Sequence, residues 1–273
     1  MRTIIPTVLG TVALAAALPA SAQSLAQRVA QAPSDRTLVF EYAAKPGVCG
    51  DGDNIMLVED GTIVMRDGRQ ALLSRSGSRT RSGDCFVGPV RIEMGGGTAP
   101  AELRARVGAT AMPRNAVNLG TVAPAEAAAF LIEVARRTRS GKAGETAVFA
   151  ATLAEGADPW RDLLALARDD GAPRKTRTSA VFWVGQAVSD RATAGLVELV
   201  SDDDADMEAR ETAVFALSQR PDSEAVSALL EVAKASPHAE LRKQAIFWLG
   251  QSEDPRALSW FEQLLLGGSR RQP

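Results

Sequence analysis

Residues 245–251 read AIFWLGQ, residues 180–186 read AVFWVGQ, and residues 213–219 read AVFALSQ. The opening alanines, Ala180, Ala213 and Ala245, stand 33 and 32 residues apart, and a weaker copy, AVFAATL, begins one period upstream at Ala147. Through the gaps run Asp158, Asp190, Asp222 and Asp254, each 32 residues from the last. An arginine stands three residues before three of the alanines, at Arg177, Arg210 and Arg242, while the copy at Ala147 has Gly144 there. Self-similarity at this period marks a supersecondary unit that is stacked on copies of itself.

Each period has room for two helices. One begins at the aspartate, whose carboxylate is suited to accept from the free N–H groups of the first turn. Its apolar residues recur at helical spacing, as in Ala225, Leu229 and Val232. The other carries the arginine and the heptapeptide, and a glycine or serine marks its end. With the leading segment Pro124 to Thr138, the pattern predicts five helices of the first kind and four of the second. The last, Pro255 to Leu266, is expected to cap the stack.

The segments EARETAVFALSQRPDSEAVSALLEVA (208–233) and ELRKQAIFWLGQSEDPRALSWFEQLL (240–265) share one order: arginine, alanine, small-residue turn, then aspartate, alanine and leucine. This order resembles the HEAT-repeat family, in particular its short-repeat branch, which is similar to phycobilisome lyases. The resemblance covers about 140–266 well and 113–139 loosely. It implies a right-handed α-α superhelix over 113–267, of about four repeats plus a capping helix, that acts as a protein-binding scaffold. It also allows a chromophore or cofactor lyase or chaperone, although no cysteine or histidine lies in the heptapeptides to hold a tetrapyrrole.

A helical wheel separates the residues of the heptapeptide. With Leu241 at zero, Ala245, Trp248 and Leu249 fall within about 80° of it and define the face toward the partner helix. Phe247 falls near about 240°, between Lys243 and Gln251. The resemblance implies that the second helix of each repeat lines the concave surface. Phe149, Phe182, Phe215 and Phe247 would then form an aromatic ladder, flanked by Gln186, Gln219 and Gln251. Such a surface suits another protein or an extended peptide, with aromatic anchors and amides for the ligand backbone. The alternative is that the phenylalanines pack between repeats, since a solenoid helix touches a neighbour on both sides. Arg177, Arg210 and Arg242, with the four aspartates, are expected to be a structural ladder pairing turns.

Upstream of the repeats the composition changes. Residues 36–112 contain four short runs suited to strands, Thr37–Ala43, Asn54–Met65, Val87–Met94 and Leu103–Val107, separated by Asp-Gly and Gly-rich turns. They predict a small antiparallel β domain, so the whole is an α+β chain in two parts. Cys49 and Cys85 are expected to form a disulfide that staples this small core, closing a loop of about 35 residues. Residues 1–22 have the form of a secretory signal peptide: Arg2, an apolar stretch from Ile4 to Leu18, and Ala20-Ser21-Ala22 before Gln23. The mature chain is expected to start near Gln23, after export to the periplasm or beyond, with a polar linker over 23–35.

Other chemistry finds little support. The net charge of −2 from 31 basic and 33 acidic residues provides no field for nucleic acid. No stretch beyond the leader is long and apolar enough to span a membrane. His238 is the only histidine, and no serine, cysteine or threonine has a recognisable nucleophile setting, so no enzyme activity is expected. Asp51, Asp53 and Asn54 open like a calcium loop, but Ile55 stands where the next oxygen ligand belongs. No cofactor or metal is expected. Arg66, Arg69, Arg75, Arg79 and Arg81 lie among serines and glycines, as in a surface loop or a docking point for an acidic partner. An envelope scaffold, with the β domain as attachment and the solenoid as spacer, is the remaining reading.

Overall fold

A computed structural model of the chain describes residues 23–59, 62–66, 69–70, 85–108, 111–187, 189 and 191–268. The leader 1–22, the arginines 75, 79 and 81, and Asp190 lie outside the described residues. The polar linker expected over 23–35 instead carries a helix, α1 (Leu25–Gln31). Ser24 and Gln27 form a capping box at its start, and Leu25 and Val29 are buried. That S-x-x-Q signal for a helix start stands in the sequence. The Leu25 N–H donates to Glu126 Oε1 at 2.5 Å, and Arg28 Nη1 donates to the Leu119 carbonyl.

The strands are β1 (Leu38–Tyr42), β2 (Val48–Gly50), β3 (Ile55–Glu59), β4 (Thr62–Arg66), β5 (Arg69–Gln70), β6 (Val90–Met94), β7 (Leu103–Arg106) and β8 (Val117–Thr121). They form two four-stranded sheets, ordered β7-β6-β1-β8 and β2-β3-β4-β5. The purely antiparallel domain expected over 36–112 is corrected in two ways. Strand β8 lies beyond residue 112, and it pairs parallel with β1. It is short and mostly exposed, and it contains Gly120, so the sequence offers no alternating apolar run there. Cys49 and Cys85 are bonded, with Cα atoms 5.3 Å apart. Beside them, Gly50 and Phe86 exchange backbone hydrogen bonds at 2.8 and 3.0 Å. A closed loop of this length stabilises by about 3 kcal/mol in the chain-entropy model.

The helical stack begins at Pro124 rather than 113. Four antiparallel pairs follow: α2 (Pro124–Arg137) with α3 (Gly141–Thr152), α4 (Trp160–Ala167) with α5 (Arg174–Gly185), α6 (Arg191–Ser201) with α7 (Met207–Ser218), and α8 (Asp222–Ala235) with α9 (Ala239–Gln251). A single further helix, α10 (Pro255–Gly268), lies against α8 and α9. Successive second helices α3, α5, α7 and α9 touch more closely than successive first helices do. Gly144 stands where other repeats have arginine because α5 crosses there: a Cβ at Gly144 would lie 2.0 Å from Thr176 Oγ1.

The two parts share one core. Leu38, Phe40, Tyr42, Val90, Ile92 and Met94 of the first sheet belong to the same buried cluster as Phe130, Leu131 and Val148 of α2 and α3. Phe40 meets Phe130 edge-on at 5.9 Å. The chain after β1 pairs with the turn after α3, Lys45 N–H donating to the Leu153 carbonyl at 2.7 Å. Thr138 Oγ1 donates to the Pro100 carbonyl at 2.7 Å, and Tyr42 Oη to the Ala150 carbonyl at 2.6 Å.

Tyr42 is the chain's only tyrosine, so it reports on this junction. Burial raises its pKa well above the ordinary 10.0. The folded form therefore keeps the proton, and the stability this gives is complete below pH 10.0 and lost as pH rises through the folded value. Phenolate absorbance near 295 nm is expected to appear only together with loss of helical ellipticity in an alkaline titration. Ionisation at an ordinary pKa with the helices intact would contradict the buried junction.

Candidate functional site

The heptapeptides place their residues on three sides of each second helix. Ala147, Ala180, Ala213 and Ala245 are fully buried against the rest of the stack. The phenylalanine one helical step further round changes its setting along the chain. Phe149 is 9% exposed, Phe182 and Phe215 are half-buried, and Phe247 is 56% exposed. The expected ladder is thus a gradient, with packing at one end and exposure at the other.

A tryptophan of the next repeat lies against two of these phenylalanines. Trp183 reaches back one repeat to stack on Phe149, with ring centroids 5.3 Å apart. Trp248 reaches back to Phe215 at 5.4 Å, with the rings tilted by 53° rather than stacked. Between them the equivalent position is Ala216, so Phe182 receives no ring from that position of the next repeat, and among the described residues the ring it meets is Trp183, edge-on at 5.3 Å. Among the described residues the ring that Phe247 meets is its chain neighbour Trp248, at 5.0 Å. Phe149 therefore belongs to the packing and leaves the candidate surface, which is made of Phe182, Phe215 and Phe247.

The glutamines sit at the ends of these helices. Gln186 and Gln219 are C-cap residues whose backbone N–H groups donate to the last turn. The Gln219 amide also donates to Ser218 Oγ at 3.1 Å. Gln251, the last residue of α9, is exposed. Lys243 is exposed as well and pairs with Glu240 at 3.0 Å, an interaction worth about 0.5 kcal/mol at such a surface.

The arginines clamp turns. Arg177 Nη1 donates to the Ala172 carbonyl at 2.8 Å, Arg210 Nε to Val200 at 2.9 Å, and Arg242 Nη1 to Ser236 at 2.9 Å. Each closes the loop between the two helices of its own repeat. Arg177 also crosses to Asp206, which caps α7 by accepting the Ala209 N–H. The periodic aspartates are less uniform than expected. Asp254 accepts the Arg256 N–H at 2.8 Å at the start of α10. Asp222 opens α8 without a side-chain cap, and α4 starts after Pro159, with Asp158 exposed and not capping.

Arg220 was not legible as a key residue, because its position is Ala187 and Ser252 in neighbouring repeats. Its buried guanidinium donates to the carbonyls of Gly185, Ala187 and Ser189, to Thr193 Oγ1 at 2.9 Å, and to Glu224. It ties the end of α5 and the following turn to the start of α8. The half-exposed His238 approaches Asp203 Oδ1 at 3.2 Å. Among the described residues no group of histidine, cysteine, aspartate or glutamate is arranged to hold a metal, and no helix is long and apolar enough to cross a membrane.

Antiparallel helix pairs stacked at a fixed period, with their second helices in continuous contact, define an α-solenoid. Residues 160–246 and 193–271 match the family model for HEAT repeats, and this part of the chain is built of HEAT repeats. Proteins with such repeats generally serve as non-enzymatic scaffolds for protein interaction. No curated protein matches the chain.

Replacing Arg220 by alanine removes the donor shared by the carbonyls of Gly185, Ala187 and Ser189 and one of the partners of Glu224, and is expected to cost about 3 kcal/mol. Arg174→Ala, at an exposed pair with Glu208, is expected to cost under about 1 kcal/mol. Urea denaturation of the two variants measures both. A second expectation concerns acid. Asp203 is held below the usual 3.8 by His238 and Arg210. Burial works against the charge of Asp206, but the Ala209 N–H and Arg177 outweigh it, so its pKa is also lowered. Hydrogen bonds from Arg256 bring Asp254 to about 2. The stability these carboxylates supply is complete above 3.8 and lost as pH falls through their lower folded values. Helical ellipticity is expected to hold to about pH 4 and fall below it.

Proposed function

We propose that the protein is an exported, non-enzymatic scaffold whose HEAT repeats bind another protein or an extended peptide along the surface of the second helices. The observation that carries this reading is the aromatic row on one side of α5, α7 and α9, with Phe182 and Phe215 half-buried and Phe247 exposed. Exposed aromatic side chains held on rigid helices are the kind of anchor that dominates protein interfaces. The closer contact among second helices supports placing this surface on the inner side of the curve. The form of residues 1–22 and the bonded Cys49 and Cys85 support an oxidising compartment, the periplasm or outside.

A photo-crosslinking residue at position 251, in the protein expressed with its leader in its own envelope, is expected to capture a discrete partner. Capture is expected to fall at least about tenfold in a Phe182→Ala, Phe215→Ala variant, since aromatic anchors contribute about 2 kcal/mol or more each. Equal capture by that variant, with its helical content unchanged, would sink the aromatic-anchor reading.

A further inference from the structure

We propose that the segment held along the second helices is an acidic one: an extended peptide that lays an apolar side chain against Phe182 and a carboxylate against Lys142 and Lys175. This inference rests on the groove reading above and adds to it the charge of the occupant and the spacing of its anchors.

The register between successive second helices decides which charges are left over. The residue six before one heptapeptide alanine lies beside the residue five before the next. Between α5 and α7 these are Arg174 and Glu208, which form an ion pair. Between α3 and α5 they are Gly141 and Lys175: a Cβ on Gly141 would lie 3.2 Å from the Lys175 Cβ. Glycine has no side chain to answer the ammonium. Lys175 is exposed and, among the described residues, has no ion-pair partner. Lys142, its equivalent in α3, is exposed and equally unpaired, as is Arg139 in the turn before α3. Glu145 is the only carboxylate on α3, so this end of the surface carries three cations against one anion, in a chain whose net charge is −2.

The lysines share the face of the aromatic row. Lys175 and Phe182 are seven residues apart, which sets them within about 20° of each other on the wheel and about 10 Å apart along α5. An extended chain covers about 10 Å in three residues. The occupant is therefore expected to carry Asp or Glu about three residues from its apolar anchor. Between the two levels stand Thr146, Ser179 and Thr212, all half-buried. The Thr146 and Thr212 hydroxyls donate within their own helices at 2.9 and 2.7 Å, which leaves their oxygens to accept from a peptide N–H.

A single carboxylate fits this surface better than a polyanion does. One repeat further on, the same face of α7 carries Glu211, half-buried and without an ion-pair partner among the described residues. A nucleic acid or an anionic membrane would lay a second negative charge there, where like charges repel. A peptide presents its charge once, at the lysines, and crosses α7 with neutral groups.

The test is to pan the full chain, with its disulfide formed, against phage-displayed random peptides of about 12 residues, about 40 Å when extended. Peptides that bind the chain but not its Phe182→Ala, Phe215→Ala variant are kept, and the strongest binder is synthesised. The kept peptides are expected to carry an acidic residue about three positions from an apolar one. Lys142→Glu with Lys175→Glu is expected to leave the circular dichroism spectrum unchanged and to weaken the synthetic peptide at least about tenfold, as loss of a charge-assisted contact does. Lys142→Arg with Lys175→Arg is expected to keep the affinity. Replacing the peptide's acid by its amide is expected to weaken binding to the native chain by a similar factor. Phenylalanine-dependent peptides that lack an acid, or an affinity indifferent to the charge reversal, overturn this inference while the groove reading stands. Heparin binding in preference to every peptide overturns it in favour of a polyanion. If no peptide depends on the phenylalanines, both readings fall.

Discussion

The second helix of each repeat is apolar on both flanks as well as on the face toward its own partner helix, and no single pair can hide all of that surface. Ala147, Val148, Ala180, Val181, Ala213 and Val214 are buried because a neighbour lies on each side. Alanine, glycine and threonine at the crossings let these helices come close, as at Gly144 with Thr176 and Gly185 with Ala216. Every other feature of the architecture depends on how this stack is flanked and ended. A repeat array of this kind has cores between repeats, and its two ends are its weak points.

At the N-terminal end the problem is solved by a sheet. Strands β1 and β6 place Phe40, Tyr42, Ile92 and Met94 on α2 and α3, in the position that a preceding repeat would take. The β part is therefore less a separate domain than the first cap of the solenoid, and α1 with β8 extends that cap. The disulfide strengthens the second sheet, which lies further from the helices. On α10 the side chains of Leu258, Leu264, Leu265 and Leu266 are exposed.

The aromatic residues show how one repeated motif acquires different roles. The same phenylalanine is core in α3, where Trp183 of the next repeat stacks on Phe149, and surface in α9, where Phe247 is met by Trp248 of its own helix. The arginines show the reverse. Arg177, Arg210 and Arg242 recur in sequence and in role, each bonding the carbonyls of its own turn. Arg220 has no periodic counterpart and makes more hydrogen bonds than any of them. Its role depends on three loop carbonyls that converge only after α5, α6 and α8 have packed.

The period of 32 or 33 residues was enough to establish the helical pairs, their order and their buried alanines, because helix-period burial is a local property that repeats with the chain. The disulfide was legible too, since the chain has only two cysteines. Hidden in the sequence were the short strands β2, β5 and β8 and the capping failures at Asp158 and Asp222. Which phenylalanines face outward was decided only by tertiary structure. A wheel gives the direction of a side chain from its own helix, but exposure also depends on how the neighbouring helices lie against it. The residue that the next second helix brings is Trp183 for Phe149, Ala216 for Phe182 and Trp248 for Phe215.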